Sequence, residues 1–141
     1  MGRALAPLRA LGVAVVASGS ITHNQGEFQC SSLRAASWSE LADCLKAALR
    51  RRREACGAPV APFSAAFDAW AKAVTTGQAG LARAASLAAY RSQDQATLAH
   101  PDPSHFVPLL VAAGAAGDSA GTVIHSNCSQ YSLSMTAFAF H

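Results

Sequence analysis

Histidine is the side chain best suited to serve both as a metal ligand and as a proton carrier near neutral pH. This sequence distributes its five histidines unevenly. His23 closes the stretch SGSITH directly after an apolar run, whereas His100 and His105 share HPDPSHFVPLL, where Pro101, Pro103 and Pro108 restrict the backbone. A catalytic base must be held within hydrogen-bond reach of its proton, and a proline-bounded loop offers that rigidity. The same loop reads equally well as a cap for the following helix. His23, emerging from an apolar strand through small residues, can project from the carboxyl edge of a sheet, where open α/β sheets place ligands. It also reads as a surface histidine bonded to nearby backbone, and one histidine makes no metal site, since three or four ligands must converge. His125, a lone position in TVIHSN, and the terminal His141 read as structural or solvated.

The four cysteines, Cys30, Cys44, Cys56 and Cys128, follow no CxxC or zinc-ribbon spacing. Reduced, partly buried thiols in a cytoplasmic protein account for them most simply; secretion would instead make them candidates for disulfides. MGRALAPLRALGVAVVASGS has the rough layout of a secretory leader, but Pro7 and Arg9 interrupt it and its valines suit a core strand. A length of 141 residues with 51% hydrophobic content predicts one domain. Charged residues make up only 13%, against about a quarter in ordinary soluble proteins, so the surface is poorly protected against association. That points to a partner surface or a missing piece of chain. A net charge of +3 argues for neither nucleic acid nor an anionic membrane, and no apolar run reaches the ~18 residues of a membrane span.

These residues need elements to hold them. A short helix is expected over residues 3–11, then a continuous apolar strand over residues 12–18, buried on both faces in a parallel or mixed sheet. Ser37 and Glu40 form a capping box ahead of Trp38, Leu41, Ala42, Leu45, Ala48 and Leu49 at helical spacing. Arg50, Arg51, Arg52 and Arg53 fit the C-terminal end of that helix, where the dipole favours cations. After a linker at residues 58–62, a helix over 64–76 carries Phe63, Phe67, Trp70 and Val74 in one stripe, which reads as core. A further alanine-rich helix spans about 79–92, with Leu81, Leu87 and Tyr90 as its larger side chains. The three prolines delay the next helix until about Pro108, and Gly114 or Gly117 ends it. TVIHSN and YSLSMTAFAF read as closing strands, the second half-buried.

Taken in order, MGRALAPLRALGVAVVASGSITHN, FDAW, AHPDPSHFVPLLVAAGAAGD and SLSMTAFAF resemble the C-terminal half of class III extradiol ring-cleavage dioxygenases, the LigB-like group, in the branch of the 4,5-DOPA dioxygenases. The match covers about half of the chain. Residues 25–62 resemble no part of that family and read as an insertion, helical around 30–60. The resemblance implies an α/β fold, a mixed sheet flanked by helices, here one half of a larger single domain. It implies a non-haem Fe(II) site, in which Zn(II) can stand, with His23 as a metal ligand. His105 matches the acid/base histidine beside the metal, with His100 as the second candidate for that role. The partners it implies are a small catecholic substrate and O2, with ring opening next to the diol.

The departures matter equally. The family takes two further metal histidines from an N-terminal half, and no residue here matches them, so a separate chain carrying that half is a possible partner. Ala17 and Tyr131 stand where the family prefers glycine, and Tyr131 would crowd a turn that needs positive φ. Two functions stay open: a dioxygenase half that is incomplete as this chain, or a non-catalytic remnant or binding module that keeps the α/β scaffold. A secreted, disulfide-linked protein is the weaker third.

Overall fold

The computed structural model describes residues 1–24, 37–39, 42, 46, 60–129 and 132–141. Its centre is α2 (Pro62–Gly77), which begins with proline at its first turn, where the missing N–H costs nothing. Phe67, Ala71 and Val74 point from it into the core, with Phe63 and Trp70 packed at the margin. The expected stripe is therefore core, and α2 starts two residues before the expected helix. α3 (Gly80–Ala88) follows and gives way to a 3-10 turn at Tyr90–Ser92. Leu87 and Tyr90 are buried, and Leu81 is 70% exposed.

A one-turn helix, α4 (Ala96–Ala99), leads into the proline-rich loop, where Pro103–His105 forms a 3-10 turn. α5 (Val107–Ala116) then runs to Gly117, whose φ of +58° stops the helix in the left-handed region. α5 carries no charged or strongly polar residue, so it needs cover on every side. The N-terminal helix α1 (Gly2–Ala10) crosses it so closely that a Cβ on Gly114 would lie 3.1 Å from the Gly2 Cα. The chain closes with β1 (Gly121–His125), β2 (Cys128–Ser129), β3 (Leu133–Ser134) and β4 (Ala137–Phe140). β1 pairs antiparallel with β4, and β2 with β3.

The α/β class holds, with helices packed around small antiparallel pairs. The strand expected at residues 12–18 does not form: the segment has no regular structure, and Val13 and Val16 are 46% and 90% exposed. β-propensity expresses fit to a pleated, half-buried surface, and residues 12–18 pair with neither β1 nor β4. Among the described residues around the expected capping-box helix, Trp38, Ser39, Ala42 and Lys46 are helical, yet Trp38 is 86% exposed and outside the core. Glu40, Leu41, Leu45, Ala48, Leu49, the four arginines, Cys30, Cys44, Cys56 and Tyr131 lie outside the described residues.

Arg83 fastens this assembly. Its guanidinium is fully buried and donates to the carbonyls of Gly117 (2.7 Å) and Ser119 (2.8 Å), with longer bonds to Ala113 and Gln78. It also stacks 4.7 Å from the Phe140 ring centroid. These carbonyls include ones that the end of α5 leaves without helical partners, so one cation satisfies the helix terminus and ties it to β4. Arg9 reinforces the junction from α1, donating to Ala116 O at 2.9 Å and Phe140 O at 3.0 Å.

Candidate functional site

Residues 20–24 run through the molecule as a clamped thread. Main-chain N–H groups of Ser20, Ile21 and His23 donate to the carbonyls of His105, Ser134 and Ala99, at 2.9, 3.3 and 2.8 Å. The Asn24 amide donates to Leu98 O at 2.8 Å. His100 supplies the most buried clamp: with no exposed surface, its Nε2 lies 2.7 Å from Ile21 O. A carbonyl can only accept, so Nε2 carries the proton and the neutral ring keeps its lone pair on Nδ1, which meets no partner. Burial holds the His100 pKa below its ordinary value, against the opposing pull of the Ile21 and Asp102 backbone. The ring is wedged among Phe67, Tyr90 and Phe106, with centroids 5.5, 6.4 and 5.1 Å away.

This thread delivers His23 to His105. The two imidazoles, from segments distant in sequence, stack with centroids 3.7 Å apart and planes inclined by 17°. Glycine at position 19 permits the approach, since a Cβ there would collide with the carbonyl oxygen of His105. Burial and the neighbouring His105 lower the His23 pKa, with its own hydrogen bond and Asp102 pulling the other way. The neutral form, with a free lone pair for a metal or proton, is thereby favoured. Asp102 stands beside the pair as an exposed carboxylate. It accepts from the Ser104 N–H at 2.7 Å, and hydrogen bonds from Ser104 with the two histidines hold its pKa down.

Behind the thread lies a buried hydroxyl network. Thr22 Oγ1 donates to Ser132 O at 2.6 Å, accepts from the Ser134 N–H at 2.7 Å and touches Ser64 Oγ at 2.9 Å. Ser134 and Thr136 hydroxyls converge on one Asp68 oxygen at 2.5 and 2.7 Å, and Lys72 bridges the other at 2.6 Å. Burial would raise the Asp68 pKa, but the hydrogen bonds from Lys72, Ser134 and Thr136 outweigh it and leave it lowered. The SLSMT stretch is thus a polar bracket holding Thr22, and through it His23.

His23 and His105 come together; His100 lies directly behind them, buried and committed to Ile21, where it can position but not exchange protons with a substrate. His125 and His141 are exposed and stand apart from the pair. Burial pushes the Cys128 thiol pKa up, which disfavours the nucleophilic thiolate. Sequence reasoning passed over Asp102, Thr22 and Asp68. The D-P-S spacing of an Asx turn could have marked Asp102; the other two are visible only once the chain is folded.

His105 also opens on a trough of about 850 Å³ between α5, β4 and residues 12–21. No family model matches the chain. It is 34% identical over 143 residues to the 4,5-DOPA dioxygenase extradiol of Beta vulgaris, covering 99% of this chain and 42% of that protein. The Escherichia coli K12 protein of the same name is 32% identical over 115 residues, covering 82% and 33%. The chain is a relative of the 4,5-DOPA extradiol dioxygenases. A crystal structure of an uncharacterised Escherichia coli K12 protein superposes with a TM-score of 0.66 at 31% identity, over 97% of this chain and 46% of that one. The chain therefore spans less than half the length of the 4,5-DOPA dioxygenase relatives it matches.

Proposed function

We propose that this chain is the histidine-bearing part of an extradiol dioxygenase that opens catecholic rings with O2, His23 serving as a metal ligand and His105 as the acid/base. The observation that carries the reading is the stacked pair itself: two imidazoles from distant segments, His23 favoured neutral and His105 opening on the trough. The donor chemistry fits a non-haem Fe(II), or Zn(II) in its place, since imidazole suits both. The donor number falls short: among the described residues no three His, Cys, Asp or Glu side chains are arranged to hold a metal ion. Further ligands would come from polypeptide outside the described residues. When bound, Fe(II) would supply the electronic path between catecholate and O2.

The protein's own steps are simple. His105, exposed at the trough, takes the proton from a catechol hydroxyl and later returns it. His100 keeps Ile21 and the following His23 in place, and Asp102 sets an exposed carboxylate beside the pair. The test is the chain produced together with the part of the Escherichia coli relative that it does not match. Fe(II) content and O2 uptake with a substituted catechol are then measured. His23→Ala should lose the metal; His105→Gln should keep it and lower kcat by about 10²–10⁴. Metal content and turnover unchanged in His23→Ala would refute the reading. A complex that forms but takes up no Fe(II) at all would instead favour a non-catalytic scaffold.

A further inference from the structure

FDAW and SLSMT contain no histidine, yet their polar side chains meet behind the stacked pair. Asp68 of α2 is the node on one side. A carboxylate can only accept, so Oδ1 takes the hydroxyl protons of Ser134 at 2.5 Å and Thr136 at 2.7 Å. Its other oxygen pairs with Lys72, which also donates to Ser126 Oγ at 2.6 Å. With its one proton on Asp68, Ser134 Oγ is left to accept from the Thr136 N–H at 3.3 Å.

The main chain of Ser134 grips the thread at the same time. Its N–H donates to Thr22 Oγ1 at 2.7 Å, and its carbonyl accepts from Ser20 Oγ at 3.0 Å and from the Ile21 N–H at 3.3 Å. Ser134 therefore joins α2 to the residues immediately before His23. Its own strand cannot anchor it, because β3 and its partner β2 have two residues each, well below the length at which strands hold themselves. The carbonyls of Ala99 and His105 and the ring of His100 also clamp the thread, but all belong to the segment that carries His105. Only the Ser134 node ties these residues, through a side chain, to the 16-residue α2. We propose that Asp68 is a positioning residue: through Ser134 and Thr22 it sets where His23 stands against His105. What the pair does rests on the functional reading above; where it stands rests on these bonds.

The experiment follows the histidine ring protons of the full chain by NMR, with spectra of His23→Ala and His105→Gln giving the assignments. The parent should show a cross-peak between the two stacked rings. Asp68→Leu removes the acceptor at similar size and should lose the cross-peak and shift both ring signals. Ser134→Ala cuts only the side-chain link to Asp68 and should shift them in the same direction, which keeps the test decisive if Asp68→Leu does not fold. Asp68→Asn keeps an oxygen for both hydroxyls and should retain the cross-peak. Thr22→Val should match Asp68→Leu, and the two together should move the rings no further than either alone, because they break one path. Leu87→Ala opens a cavity in the core outside that path, so it should lower stability and leave the rings in place. Unmoved rings in folded Asp68→Leu or in Ser134→Ala, a cross-peak lost alike in Asp68→Asn, additive displacement by Thr22→Val, or rings displaced by Leu87→Ala each overturn the proposal. No metal enters the readout, so rings that move as expected in a protein that takes up no Fe(II) would sink the functional reading alone.

Discussion

Replacing His100 by phenylalanine separates packing from hydrogen bonding at the centre of the molecule. The new ring keeps the contacts to Phe67, Tyr90 and Phe106 but removes the donor that sits 2.7 Å from Ile21 O. A buried carbonyl left without its partner costs about 1–3 kcal/mol. For a chain of this length each kcal/mol lowers Tm by about 4 °C, so the variant should melt about 4–12 °C below the parent. His100→Gln, which retains an amide donor, should recover part of that loss. A second readout follows from the lowered pKa. The native state favours neutral His100, whereas the unfolded ring protonates near about 6.5. Between the two values the unfolded state binds more protons, so stability falls as pH drops through that window and levels off below the folded pKa. His100→Phe should remove part of that acid slope, His23 supplying another part. Thermal melts followed by circular dichroism from neutral to mildly acidic pH measure both effects. A variant that melts with the parent at neutral pH and keeps its full acid slope would refute the clamp.

Other substitutions probe the remaining contacts. Gly19→Ala should cost about 1–3 kcal/mol by overpacking against the His105 carbonyl and should part the stacked rings, visible as changed imidazole proton shifts in NMR spectra. Asp68→Asn should lose about 1–2 kcal/mol at neutral pH in urea denaturation. Because the Asp68 pKa is lowered, its contribution is present above the unfolded value of about 3.9 and fades as pH falls through the folded one, so the variant's stability should depend less on pH there. Arg83→Met should cost at least about 3 kcal/mol, since buried carbonyls of Ala113, Gly117 and Ser119 lose a shared donor. Arg83→Lys should not restore it, because an ammonium lacks the planar fork.

Much of the scaffold was legible because local signals agreed with the packing. The Phe67 and Val74 stripe, the prolines that delay α5 and the glycine that ends it each act within a few residues. The run at residues 12–18 was misread for a physical reason: its apolar, β-branched composition describes a buried strand, but burial needs neighbours that this chain does not place there. The site was legible only in its endpoints. SGSITHN and HPDPSHF announce His23 and His105, whereas their stacking depends on glycine at position 19 and on carbonyl partners contributed by Ile21, Leu98 and Ala99. His100 shows the limit most clearly. It has the same residue type and loop as His105, yet an environment without solvent converts it from a candidate base into a brace.

The uncovered hollow beside residues 14–19 has a consequence in solution. Exposed aliphatic side chains next to unbonded peptide groups are what aggregation recruits, so these 141 residues on their own should self-associate as their concentration rises.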